Sequence, residues 1–328
     1  MKNMRRRGLL IAAGAVCLMP TTAIPQHPGR VYRIGWLSAT SARFAQPSLD
    51  AFREGLRRFG YVEGRNLTIE ARWADGNPAA LPALARSLVE VKVDVICAQT
   101  TPAARAAKQA TSTIPIVFNA VAFPDKTGLV ASLARPGGNA TGSAFLGPEY
   151  GKRLELLREV SPSLVSVAIP YPAKNPASVL AVEETQRWAR QLGIALQPYG
   201  IHSDEDFGTA LAAIARDRPD ALMTTADPRI TSRRKELVAF VVENRLLSVF
   251  PIPEIVEAGG LMSYGQSMAA MWDQTALFID RILKGARPAD LPVEQPTKFD
   301  LVINLKAAKA LALTIPKSML LRADRVIE

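Results

Sequence analysis

The sequence predicts an α/β protein made of two doubly wound, mainly parallel-sheet lobes with a cleft between them. Three observations carry this expectation. Short β-type runs alternate with amphipathic helical stretches, the strands are near-continuous apolar runs, and the alternation restarts after Gly147. Alternation of this kind implies right-handed βαβ units. Strands apolar on both sides imply sheets covered on both faces.

In chain order, residues 31–37 read as a strand and 47–59 as a helix that Gly60 stops. A strand at 67–73 and a helix at 81–91 follow. The apolar run 93–98, with Cys97 as a small core residue, precedes a helix at 102–110. A strand at 116–119, a helix at 124–133 ending before Pro136-Gly137-Gly138, and a strand at 140–145 complete the first half. The second half repeats the pattern. Helices are expected at 148–160, 176–192, 205–216 and 229–245, and strands at 165–169, 194–199, 221–225 and 247–251. The run 261–264 reads as a strand returning across the seam. After it come a helix at 268–283, a strand at 299–303 and a helix at 305–313.

Composition narrows the function classes. The 328 residues are 48% hydrophobic and 21% charged, enough for two cores and unlike a disordered chain. The formal charge of +10 includes Lys2, Arg5, Arg6 and Arg7 at the very start. Elsewhere acids are mixed among the bases and no basic stripe with interleaved aromatics occurs, which argues against nucleic acid as a partner. Residues 1–23 have the order of a signal peptide: a basic start, an apolar run at 8–19, and small residues at Thr21-Thr22-Ala23. The apolar run is too short to span a bilayer, which takes ~20 residues. The expected location is therefore periplasmic, and Arg6-Arg7-Gly8-Leu9-Leu10 suggests the twin-arginine route as an alternative to the general one.

Catalytic and cofactor signatures are missing. The two histidines, His27 and His202, are too few for a multi-histidine metal site. Neither a Walker loop, nor Gly-x-Gly-x-x-Gly after the first strand, nor a Gly-x-Ser-x-Gly elbow occurs. No enzyme, no metal and no cofactor are expected.

Candidate ligand contacts come from strand ends, because ligands of open α/β sheets bind outside the carboxyl ends of the strands. Trp36, Ser38 and Thr40 follow the first strand, an aromatic beside hydroxyls. In Gln99-Thr100-Thr101-Pro102-Ala103, Thr101 reads as a helix cap and Pro102 as the first helical residue, with Thr100 and Ala103 beside them. Such an N-terminus suits a carboxylate, and an ordinary cap reads equally well from the spacing. Asn119, Ala120 and Phe123 follow the fourth strand. In the second half, Tyr171 and Phe250 lie at strand ends, and Asp227-Pro228 repeats the capped arrangement with a carboxylate able to receive an ammonium. Trp36 reads equally as core or cleft wall; each of the other aromatics taken singly reads more readily as core, and their shared place at strand ends is what makes them candidate walls.

Several stretches together resemble one family, the ABC-transporter substrate-binding proteins. They include Arg53-Glu54-Gly55-Leu56, Gly60-Tyr61-Val62-Glu63-Gly64-Arg65-Asn66 and Thr101-Pro102-Ala103-Ala104. Further along are Gly128-Leu129-Val130-Ala131-Ser132-Leu133, Arg135-Pro136-Gly137-Gly138-Asn139-Ala140-Thr141-Gly142 and Lys152-Arg153-Leu154-Glu155-Leu156-Leu157. Then come Glu257-Ala258-Gly259-Gly260-Leu261-Met262-Ser263-Tyr264-Gly265, Arg281-Ile282-Leu283-Lys284-Gly285 and Gln295-Pro296-Thr297-Lys298-Phe299.

The resemblance implies a type I periplasmic-binding fold with three crossovers. The first lobe would comprise 31–146 plus about 266–296, and the second 147–265 plus about 297–320. It implies a monomer that hands an amino-acid-like or aromatic carboxylate to an ABC permease in the inner membrane, with contacts near Ser38, Thr101, Ala120 and Asp227. A ligand sensor signalling to a membrane receptor is the alternative. Ala122-Phe123-Pro124 stands where relatives often carry Gly-Asp-Pro or Thr-Asp-Pro, and Ile252-Pro253 where some have acids, so fewer carboxylates face the cleft than in the family pattern.

Overall fold

The computed structural model describes residues 30–145 and 147–328. The expected leader at 1–23, with Cys17, and His27 lie outside the described residues.

The first lobe begins with β1 (Tyr32–Ser38), α1 (Ala42–Arg58) and β2 (Leu67–Trp73). It continues through α2 (Leu81–Glu90), β3 (Val95–Gln99), α3 (Thr100–Ala110), β4 (Ile116–Ala122) and β5 (Ala140–Phe145). The five strands form one parallel sheet in the order β2-β1-β3-β4-β5. The second lobe carries α4 (Pro148–Val160), β6 (Ser166–Pro172), α5 (Pro176–Gln191), β7 (Ala195–Ile201) and α6 (Asp206–Asp217). After β8 (Ala221–Met223) come α7 (Pro228–Ser232), α8 (Arg234–Glu243), β9 (Leu247–Phe250), α9 (Pro253–Glu257) and β10 (Met262–Gln266).

The chain then returns to the first lobe, where α10 (Met268–Leu283) packs along α1. It goes back through β11 (Phe299–Asn304), α11 (Leu305–Ala310), α12 (Lys317–Arg322) and β12 (Arg325–Ile327). The second sheet has seven strands, β12-β11-β10-β9-β8-β6-β7, with β10 and β11 antiparallel. That one antiparallel pair follows from the excursion through α10: β11 re-enters the sheet in the opposite direction.

Each sheet is packed on both faces, as its apolar strands require. In the first lobe Leu37, Ile96 and Ala98 meet Leu81, Leu88 and Ala107 of α2 and α3. On the opposite face Ile34, Val95 and Val117 meet Phe52 of α1 and Ile279 of α10. In the second lobe Val167, Met223 and Val249 face Leu154 and Leu157 of α4, and Ala168 and Leu222 face Phe207 and Ile214 of α6.

Three local expectations are corrected. The segment 124–133 is a series of turns, not a helix. Gly128 has φ 75°, and the Pro124 carbonyl accepts from the N–H groups of both Leu129 and Val130. The helix at 229–245 breaks into α7 and α8 at Arg233, whose φ and ψ of −97° and 17° leave the helical region. Helix α1 begins at Ala42 because Ser41 caps it, accepting from the Phe44 N–H. Pro47 is carried inside the helix, where its missing N–H removes one intrahelical bond.

Candidate functional site

A cavity of about 230 Å³ lies between the lobes. Pro78, Leu81, Pro102 and Arg105 wall it from the first lobe, and Pro172, Asn175, Asp227 and Arg229 from the second. The backbone around it is built by one device used three times. Asn77, Asn175 and Asp227 each precede a proline, and each side chain accepts from the N–H two residues on, at Ala79, Ala177 and Arg229. An Asx cap followed by proline at the first helical position fixes a sharp entry into a helix. The chain therefore turns away from the cavity and leaves pyrrolidine rings on its wall.

Asp227 is the most constrained group. It is buried, and its Oδ2 accepts from Asn175 Nδ2 at 2.7 Å and from Ser178 Oγ at 3.3 Å. Its Oδ1 accepts from the Arg229 backbone N–H at 2.9 Å. Burial pushes its carboxyl above the usual range, against the opposing pull of Asn175, the Arg229 N–H, Ser178 and the Arg229 guanidinium.

The strand ends of the first lobe form a second polar patch. Ser38 Oγ donates to Gln99 Oε1 at 2.9 Å and lies 3.0 Å from Thr40 Oγ1. Thr101 is not the cap of α3. It lies within the helix, buried, and its Oγ1 accepts from the Ala122 N–H at 3.3 Å, tying α3 to the end of β4. Thr100, Ala120 and Phe123 have φ of 74°, 51° and 49°. This left-handed region is uncommon for residues with a Cβ and is tolerated mainly where function or packing holds it. Thr100 Oγ1, Asn119 Oδ1 and Thr224 Oγ1 are buried with no hydrogen-bond partner in the protein. Native interiors rarely leave such atoms unpaired.

Other expected contacts lie elsewhere. Trp36 is fully buried and stacks on Trp272 of α10 with ring centroids 5.1 Å apart. It is core, because strand alternation turns it with Ile34 toward α1 and α10. Phe250 and Ala103 are also fully buried, in the cores of the second and first lobes. Phe123 crosses to the second lobe, where it lies over Tyr150 and against Ala181, outside the cavity lining. Tyr171 is half-buried against the second lobe's core.

A larger space of about 540 Å³ also lies between the lobes and is charged. Thr40, Ser41 and Asp75 face Arg234, Lys235 and Glu254 across it. Burial raises the Glu254 carboxyl above its ordinary value, and its Oε2 has no partner.

Sequence reasoning passed over Asn77, Asn175, Arg105 and Arg229. The signal was present. Asn77-Pro78 and Asn175-Pro176 have the same form as Asp227-Pro228, the one such pair among the expected contacts.

Comparison with known proteins gives a consistent result. Residues 42–327 match the family described as ABC transporter substrate binding protein. A tyrosine-binding protein of Clostridioides difficile (strain R20291) is 28% identical over 270 residues, covering 81% of this chain and 77% of that protein. The structure of an ABC domain in complex with L-Trp from Streptococcus pneumonia is similar with a TM-score of 0.85 at 27% identity. That match covers 90% of this chain and 100% of the other. A conserved domain protein from Vibrio cholerae gives 0.84 at 32% identity with the same coverage.

Proposed function

The chain belongs to the family of ABC transporter substrate-binding proteins, and we propose that it captures a small, partly apolar carboxylate, amino-acid-like or aromatic, between its two lobes. The family is one of solute-binding proteins, not enzymes. On this reading the loaded protein is periplasmic after removal of its leader and delivers its ligand to an ABC permease in the inner membrane.

One observation supports the reading above others. A proline-walled cavity between the lobes is lined by a few polar side chains, among them Asn175, Asp227 and Arg229, and Arg229 Nη1 is buried with no hydrogen-bond partner in the protein. Apolar walls with a few convergent polar groups are what a small-molecule site requires. About 230 Å³ lies just below the usual range for such sites and suits a small ligand. Relatives that bind tyrosine and L-Trp point to the same size class.

Thermal unfolding of the chain without its first 23 residues, against amino acids and aromatic acids, tests the reading. A ligand at 100 times its Kd adds ~2.7 kcal/mol of stability. That raises Tm by several degrees for a protein of this size. A panel in which nothing raises Tm contradicts the proposed ligand class.

A further inference from the structure

The cavity between the lobes is not balanced in charge. Arg105, Lys174 and Arg229 line it, and Asp227 is the one carboxylate among the lining residues. None of the three cations has a carboxylate partner within 4 Å among the described residues. Arg229 is the most committed of them, because its Nη1 is buried and has no hydrogen-bond partner. A buried guanidinium nitrogen without an acceptor is expensive unless something supplies one.

Resting on the reading of solute capture in this cleft, we infer that the ligand is an organic anion without an ammonium group, selected by the guanidinium of Arg229. A carboxylate is the natural partner, since its two oxygens match the fork of donors on arginine.

Asp227 supports the exclusion of the amine. A carboxylate has about four acceptor positions, and three are filled by Asn175, Ser178 and the Arg229 backbone N–H. An ammonium would have to share the remaining position. It would also sit beside a guanidinium close enough to act electrostatically on the same carboxylate. The role left to Asp227 is to cap α7 and hold Asn175, which places Arg229 at the cavity wall. Arg105, from the first lobe, adds positive charge on the opposite side.

Titration calorimetry with ligand pairs matched in their ring tests this. L-tyrosine is compared with 3-(4-hydroxyphenyl)propanoate, and L-tryptophan with indole-3-propanoate. The acid without the amine is expected to bind at least tenfold more tightly. Arg229→Gln is expected to weaken that acid at least tenfold with Tm unchanged, and Arg229→Lys to recover part of the loss. Tighter binding of the amino acid overturns the inference, as does unchanged affinity of the acid in Arg229→Gln. Either outcome leaves solute capture standing. Binding by no member of the pairs overturns both the capture of this ligand class and the selection by Arg229.

Discussion

The guanidinium of Arg234, in the second lobe, lies over the ring of Phe44, in the first, 4.6 Å from its centroid. Arg234 opens α8 and Phe44 lies in the first turn of α1, so the contact joins two helix starts across the cleft. A cation over an aromatic face is worth ~0.5–1 kcal/mol at an exposed site.

Phe44→Ala removes that contact without touching the lining of the proline-walled cavity. It is expected to weaken ligand binding by roughly two- to fivefold through faster release, the equivalent of that contact energy. Stopped-flow release of bound ligand checks this. A variant that releases ligand at the parent's rate shows that the contact does not bias the lobes toward each other.

The pH dependence of stability reports on Asp227. Burial raises its carboxyl in the folded protein above the usual range. Between that raised value and the ordinary one near ~4, the folded protein holds a proton that the unfolded chain has released. Its contribution to stability therefore grows as pH falls through this window, opposite to a carboxylate held by an ion pair. Denaturant unfolding from pH 7 to pH 4 is expected to show the parent gaining stability relative to Asp227→Asn. A parent that loses ground to the variant over that range contradicts the assignment.

Gly265 is fixed by its surroundings, not by its φ. A Cβ there would collide with the Pro251 carbonyl oxygen, where β10 runs beside the end of β9. Gly265→Ala is expected to destabilise the second lobe by about 1–3 kcal/mol, the usual range for overpacking. Thermal unfolding measures it, and an unchanged Tm would show that the two strands can move apart at no cost.

Much of the fold was legible because two-sided burial writes itself into the strands. Val95, Ile96, Cys97 and Ala98 form a continuous apolar run, and all four are fully buried between two helical layers. What a strand end does not reveal is which face a side chain takes once a distant element covers it. Trp36 reads equally as cleft wall or core until α10, more than 200 positions later, brings Trp272 onto it. Phe250 was obscure for the same reason, since the cluster that buries it includes Phe207 of α6 and Val302 of β11, each more than forty positions away. Asp227 was legible as a capping carboxylate because an Asx–Pro pair after an apolar strand has few other conformations. That its oxygens are already engaged depends on Asn175 and Ser178, about fifty positions away, and no local pattern encodes it.

If ligand enters and leaves between the lobes, a reversible cross-link from one lobe to the other must trap it. A Cβ at Gly76 would stand 3.7 Å from Ser232 Cβ, across the cleft and within the ~3.5–4.5 Å span of a disulfide. In Gly76→Cys/Ser232→Cys, the other thiol among the described residues, Cys97, is buried and held protonated by desolvation, so it does not compete. Ligand exchange by the double variant is measured before and after reduction. Exchange is expected to slow at least a hundredfold in the oxidised protein and to recover on addition of a thiol reductant. Equal exchange rates in the two states would contradict it.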